Sequence, residues 1–258
     1  MIDLHCHILP GIDDGPATVE GSLELAARAV AGGIRKVAAT PHIDYGYGVG
    51  LDQIEPAVAE LRTALQASEI DLELVGGGEI AISRLLELDD ADLRRLALGD
   101  GPYLLVEAPL EPAVGDIESL IEQLVARGHG VVLAHPERSP PLQRAPDRIE
   151  RMVEAGALCS ITAGAIEGRF GGLVKGFALD LLERGLVHNV TSDAHDADRR
   201  PPDLVTWIEA TDGRVPETLA DWLTEDVPAA ILSGQPLPIA PAPAGPTPGR
   251  RRRWPWSR

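Results

Sequence analysis

The sequence predicts an α/β fold in which seven parallel strands alternate with helices and close into a (β/α) barrel. Three observations carry this. Apolar runs of strand length alternate with helix-length amphipathic segments along most of the 258 residues. The strands are nearly continuous in Val, Leu, Ile and Ala, as burial on both faces requires. Nearly every strand ends on His, Asp or Glu, and a closed parallel barrel points all its carboxyl ends into one mouth. An open doubly wound sheet would concentrate such residues at a single switch point instead.

The elements follow in order. The opening stretch MIDLHCHILPGIDDG reads as a strand, with Asp3, His5 and His7 on one face and Ile2, Leu4, Cys6 and Ile8 on the other. It breaks at Pro10-Gly11 and delivers Asp13-Asp14-Gly15 on a turn. Residues 18–32 form a helix capped by Thr18 and ended by Gly32-Gly33. The strand 36–40 stops at Pro41 and presents His42, and a Gly/Tyr loop precedes a helix at 52–67. The strand 72–75 leads through Gly76-Gly77-Gly78 to Glu79, and a weaker helix spans 83–97. The strand 103–106 ends on Glu107, followed by a helix at 115–127. The strand 130–134 ends on His135-Pro136-Glu137-Arg138, followed by a short helix at 146–155. The strand 158–162 precedes a Gly-containing loop and a helix at 172–184. The last strand, 186–191, ends on Ser192-Asp193-Ala194-His195, and helical segments run to about Ser233.

Composition bounds the reading. With 44% hydrophobic and 24% charged residues the chain is ordinary for a globular protein. Aromatics make up only 3%, so the core is built from Leu, Val, Ile and Ala. Two cysteines, Cys6 and Cys159, both in apolar strands, make no disulfide framework and point to a reduced cytoplasmic setting. The chain enters a strand directly, with no signal peptide, and no apolar run reaches membrane-spanning length. Net charge is −17, unevenly spread. Residues 238–258 hold five arginines and no acid, so the rest carries 18 basic against 40 acidic side chains, a net of −22. An acidic body excludes nucleic acid as a partner of the main domain. No Gly-rich phosphate loop follows the first strand.

The strand ends supply His5, His7, His42, Glu79, Glu107, His135, Asp193 and His195, with the Asp13-Asp14 pair on the first turn. Imidazoles and carboxylates together suit a hydrolytic centre of manganese, iron or zinc better than a thiolate-rich structural site. So many ligands exceed the needs of one ion and fit two or three, of the kind that acidify a water and clamp the oxygens of a phosphoryl group. Arg138, three residues past His135, and the Arg199-Arg200 pair beyond His195 carry forks that match phosphate oxygens. Asp3 reads as a supporting carboxylate, Asp13 as a shaper of the turn, and Glu137 as a holder of its own loop. His129 and His188 lie at the wrong ends of their strands. Asp44, Tyr45 and Tyr47 make a polar, aromatic rim that can touch substrate.

Taken together, HCHILPGIDDG, ATPH, GGEI, AHPER, ITAGAIEGRFG and SDAH resemble the bacterial capsular and exopolysaccharide tyrosine phosphatases of the CpsB/YwqE type. These belong to the polymerase and histidinol phosphatase (PHP) superfamily. The resemblance runs from Met1 to about Gly234. It implies a distorted seven-stranded (β/α) barrel of PHP type and a three-ion centre activated by manganese. It also implies a substrate, phosphotyrosine on the bacterial tyrosine autokinase that controls polysaccharide export. It places metal ligands at His5, His7, Asp14, His42, Glu79, Glu107, His135, Asp193 and His195, and phosphate contacts at Arg138 and Arg200. The choices of Asp14 over Asp13 and of Arg200 over Arg199 rest on the resemblance. The expected chemistry is direct attack of a metal-held hydroxide on phosphorus, because neither cysteine sits in a Cys-x₅-Arg loop.

Two units are expected: the phosphatase barrel over 1–237, and over 238–258 a Pro/Ala-rich linker ending in RRRRWPWSR. Arginines beside tryptophans suit weak contact with the anionic inner face of the plasma membrane. The competing readings are a PHP phosphoesterase acting on a small phosphate such as histidinol phosphate, and a catalytically silent binding protein that keeps the barrel. The second predicts missing ligands, and none is missing here.

Overall fold

Nine short parallel strands carry the site, and the computed structural model describes residues 1–110 and 116–241. They are β1 Ile2–Cys6, β2 Lys36–Ala39, β3 His42–Ile43, β4 Glu73–Gly76, β5 Glu79–Ala81, β6 Tyr103–Glu107, β7 Gly130–Ala134, β8 Ala157–Thr162 and β9 Asn189–Thr191. One sheet has the order β1-β2-β4 and the other β3-β5-β6-β7-β8-β9. The nine strands are the expected seven, two of them broken. Pro41, which has no N–H to donate, separates β2 from β3, and its carbonyl accepts from Glu79 N at 3.0 Å. Gly77 and Gly78 separate β4 from β5. A Cβ on them would stand 2.9 Å from Leu98 Cδ2 and 2.8 Å from Leu96 Cδ2. The backbone therefore runs close over the residues beneath it, and a side chain on either glycine would push Leu98 or Leu96 aside.

Counting each broken pair as one strand, the wall runs β1, β2/β3, β4/β5, β6, β7, β8, β9. Among the described residues no regular ladder joins β9 to β1. The seam is made by the turn after β9 instead. Asp193 N donates to His5 O at 3.0 Å, His7 N donates to Ala194 O at 2.8 Å, and Cys6 bridges Ala194 in parallel. Asp3, buried in β1, adds a side-chain tie by accepting from Ser192 N at 3.1 Å.

Helices cover the wall. Val19–Ala31 starts at Thr18, whose hydroxyl accepts from Gly21 N, and Leu51–Ala67 follows β3. The helix expected over 83–97 is instead two pieces, Ile82–Leu85 and Asp90–Arg95. Asp89 accounts for the break, because its carboxylate accepts from Ala91 N and Asp92 N and starts a new helix. Ile117–Ala126, capped by Asp116, fills most of the expected 115–127, whose first residue lies outside the described ones. Asp147–Glu154 and Gly172–Glu183 stand where helices were expected. The last strand is shorter than 186–191, and the C-terminal segments end with Val227–Ser233. The core is aliphatic, with Leu4, Cys6 and Ile8 fully buried, but it also takes in Trp207, whose indole N–H is satisfied by Leu204 O. From residue 242 onward the expected tail lies outside the described residues.

Candidate metal centre

All nine expected ligands converge at the carboxyl ends of the strands. His5 ends β1 with His7 just past it, and the chain then turns through Asp13 and Asp14. Gly15 is required there, since a Cβ would sit 2.1 Å from His7 O. His42 opens β3, Glu79 opens β5 and Glu107 closes β6. His135 follows β7 at φ 34°, and Asp193 follows β9 at φ 52°. These are two of the four non-glycine residues with positive φ among the described residues, and such strain gathers where geometry is imposed for a purpose.

Their donor atoms form four contiguous groups, each with its atoms within 4.8 Å of one another: His7, Asp14, His42 and His195; His5, His7 and Asp193; His5, Glu79 and His135; His42, Glu79 and Glu107. Glu79 is the hub. Its Oε2 lies 3.2 Å from His5 Nε2, 3.3 Å from His7 Nε2 and 3.0 Å from His42 Nδ1, and its Oε1 lies 2.8 Å from His135 Nε2. Asp193 Oδ1 is 3.5 Å from His5 Nε2, and His195 Nε2 is 3.2 Å from Asp14 Oδ1. Yet Glu79 Oε2, His42 Nδ1 and His195 Nε2 are buried without a hydrogen bond. Lone pairs that crowd together unbonded call for a cation. The spacing agrees: ligand bonds of about 2.1 Å give ligand-to-ligand edges of about 3.0 Å in an octahedron and about 3.4 Å in a tetrahedron. The residues therefore fit divalent metal.

The charges point the same way. Burial opposes a charge on His7, but the Asp13 and Glu79 carboxylates beside it outweigh that and raise its pKa to about 10. Burial and then the His7 charge hold His195 down at about 3. Burial and then the charge of Glu79 push Glu107 up to about 7. The cluster is a knot of carboxylate oxygens that draws in positive charge, as a proton on His7 or as metal.

Arg138 and Arg200 meet at the mouth. Arg138 Nη1 and Arg200 Nη2 both donate to Asp193 Oδ2 at 2.5 Å, with side chains 19% and 32% exposed. Two guanidinium groups thus face the cluster from the solvent side. Arg199 does not join them; its backbone N–H donates to Asp196 beyond the last strand.

Asp13 does more than shape the turn. Its Oδ2 accepts from His7 Nδ1 at 2.7 Å and from His42 N at 3.1 Å, and its Oδ1 accepts from Gly15 N at 3.0 Å. It therefore puts the His7 proton on Nδ1 and aims Nε2 into the cluster. The only signal in the sequence was the paired carboxylate on a turn. Asp3 and Glu137 hold loops: Asp3 accepts from Ser192 and His5, Glu137 from Thr162 N and Oγ1. His129 pairs with Asp90 at 3.0 Å, and His188 Nδ1 accepts from Cys159 N. Tyr47 stacks on His42 at 5.1 Å, and the Arg138 guanidinium lies 4.6 Å over the Phe170 ring. Phe170 lies within ITAGAIEGRFG, but nothing in its spacing marks it as part of the site.

Fold and site define a parallel α/β protein with a histidine and carboxylate cluster suited to metal at its strand ends and two arginines above it. Residues 1–233 match the family model "Capsular polysaccharide synthesis, CpsB/CapC", and the chain belongs to that family. Tyrosine-protein phosphatase YwqE of Bacillus subtilis is 39% identical over 201 residues, which span 78% of this chain and 79% of that protein. Tyrosine-protein phosphatase CpsB of Streptococcus pneumoniae is 30% identical over 210 residues, 78% of this chain and 86% of that one. A crystal structure from work on those two proteins, described as unique metal-dependent tyrosine phosphatases, superposes with a TM-score of 0.85 at 35% identity. It covers 95% of this chain and 99% of its own.

Proposed function

We propose that this chain is a metal-dependent protein-tyrosine phosphatase, acting in the cytoplasm on a phosphotyrosine-bearing kinase of capsular or exopolysaccharide synthesis. One observation carries the reading: nine histidine and carboxylate side chains converge in four linked groups beneath two arginines. His5, His7, Asp14, His42, Glu79, Glu107, His135, Asp193 and His195 would hold two or three ions, and the mixed nitrogen and oxygen donors suit manganese. When bound, the ions supply an acidified water as nucleophile and positive charge for the phosphoryl oxygens.

The chain's own residues do the rest. Asp13 and Glu79 orient the imidazoles. Arg138 and Arg200 exchange part of their hold on Asp193 for the phosphate and meet the charge that grows on its oxygens. Neither cysteine can serve as nucleophile. Cys6 and Cys159 are buried, and burial raises both thiols well above their ordinary value. The named relatives support the tyrosine specificity.

The test is phosphate release from a phosphotyrosine peptide, a phosphoserine peptide and histidinol phosphate, with chelator and then with manganese. Manganese-dependent release chiefly from phosphotyrosine is expected, with Arg138→Ala and Arg200→Ala each costing about 10²–10³-fold. Release chiefly from histidinol phosphate would keep the centre and replace the substrate.

We further propose the unit boundary near residue 237, with 238–258 as a weak tether to anionic membrane near the kinase. Cosedimentation with anionic vesicles should drop when 238–258 are removed, and no drop refutes the tether.

A further inference from the structure

Aromatic side chains are scarce in this protein, and their placement is uneven. Among the described residues only Tyr45, Tyr47 and Phe170 are exposed aromatics. Tyr45 is turned to the flank, where its hydroxyl bonds Glu87 and Arg84 lies over its ring. The other two stand on the machinery itself. Tyr47 stacks on His42 with the ring planes 9° apart, and Phe170 lies against the Arg138 guanidinium. Tyr47 follows β3, in the second strand of the wall, and Phe170 follows β8, the sixth. In a seven-strand ring those loops rise on opposite sides of the mouth. Tyr47 also borders a cleft of about 400 Å³ with Ile12, Val49 and Pro56, so there is room beside it.

We propose that Tyr47 and Phe170 contact the aromatic ring of a phosphoester bound at this centre, and that they set a preference for aryl over alkyl phosphates. The inference rests on the phosphatase reading above and deepens it. A phosphate gripped by Arg138 is within reach of Phe170, because the guanidinium and the ring already touch. The floor of the site is closed: His5, His7, Glu79, His135 and Asp193 are at most 3% exposed. The ester bond must therefore point outward, and the first groups it passes are those of the rim. A planar ring fits there by stacking, and its length keeps the peptide main chain clear of the mouth. An alkyl phosphate gains nothing from either side chain and brings the main chain down onto the rim.

The experiment uses the full chain reconstituted with manganese, and the variants Tyr47→Leu and Phe170→Leu, which keep an apolar side chain. Competitive inhibition constants are measured for phenylphosphonate, methylphosphonate and inorganic phosphate. Each variant should raise the phenylphosphonate constant by about 2- to 12-fold, the range of one aromatic pair. The methylphosphonate and phosphate constants should stay within about twofold, below the range of such a contact. If all three rise together, the side chains act by bracing His42 and Arg138, and the inference is overturned. It is equally overturned if phenylphosphonate does not respond. Should the wild-type chain release no phosphate from any ester, the phosphatase reading itself fails and takes this inference with it. An active enzyme with unselective variants overturns the inference alone.

Discussion

Replacing Asp13 by Asn tests the centre without touching a ligand. Three donors converge on this carboxylate: His7 Nδ1 at 2.7 Å and His42 N at 3.1 Å on Oδ2, and Gly15 N at 3.0 Å on Oδ1. The side chain is fully buried. An amide of the same shape has one acceptor where three donors need two. With its oxygen toward His7, its NH₂ confronts Gly15 N–H and opens the turn that carries Asp14. With its NH₂ toward His7, it donates to Nδ1 and moves the imidazole proton to Nε2. That atom lies 3.3 Å from Glu79 Oε2, so the proton would point into the ligand cluster. Either way one hydrogen bond to a charged group is lost, about 1.5–3 kcal/mol, or about 10- to 150-fold in a binding constant. Carboxylates that orient metal-bound histidines carry about 10- to 100-fold in affinity or activity, the same range. Calorimetric titration of the apo protein with manganese should show that loss in Asp13→Asn, with turnover falling in parallel. Affinity within about twofold of wild type would refute the orienting role.

The remaining predictions address other parts of the chain. The double variant Cys6→Ala, Cys159→Ala should keep manganese-dependent turnover, and iodoacetamide should leave the wild type active; inactivation by alkylation would restore a thiol mechanism. Gly15→Ala drives a Cβ into His7 O, so it should lower stability by about 1–3 kcal/mol by thermal melting and release metal; an unchanged melting point refutes the close approach. Glu118 is lowered from the usual 4.5 to about 2 by its hydrogen bonds to Arg148, with Arg151 adding to them. A depressed carboxylate stabilises the fold above its unfolded pKa, and that stability is lost as pH falls from about 4.5 toward 2. Discounted for partial exposure this is about 1 kcal/mol, so urea midpoints of Glu118→Gln and wild type should differ near neutral pH and converge in acid.

Much of the fold was legible because it depends on periodicity and punctuation. Proline and glycine marked the strand ends at Pro41 and Gly77-Gly78, the strand expected at 130–134 stands there, and the one expected at 158–162 begins one residue earlier. What escaped was non-local. The break of β4 from β5 falls where Gly77 and Gly78 pass close over Leu98 and Leu96, an approach no local window reveals. The split of the helix at 83–97 was visible in principle, since Asp89 is a strong N-cap, but hydrophobic spacing outvoted it.

The convergence of the candidate ligands was legible for a similar reason: parallel strands bring their ends together, so strand-end chemistry can be summed before any contact is known. The carboxylates that organise those ends could not be summed that way. Asp3 ties β1 to the turn after β9 through Ser192, Asp13 ties the first turn to His42, and Glu137 ties the turn after β7 to Thr162 at the end of β8. Each reaches across to the backbone of a neighbouring loop. Burial pushes such groups up and their hydrogen bonds pull them back only in part, leaving Asp3 at about 6 and Glu137 at about 7. Where the wall lacks a regular ladder, between β9 and β1, Asp3 and the turn carbonyls do the joining. The turn that closes this seam is also the one that carries Asp193 to His5 and His195 to His7, so the joint and the site are built from one segment.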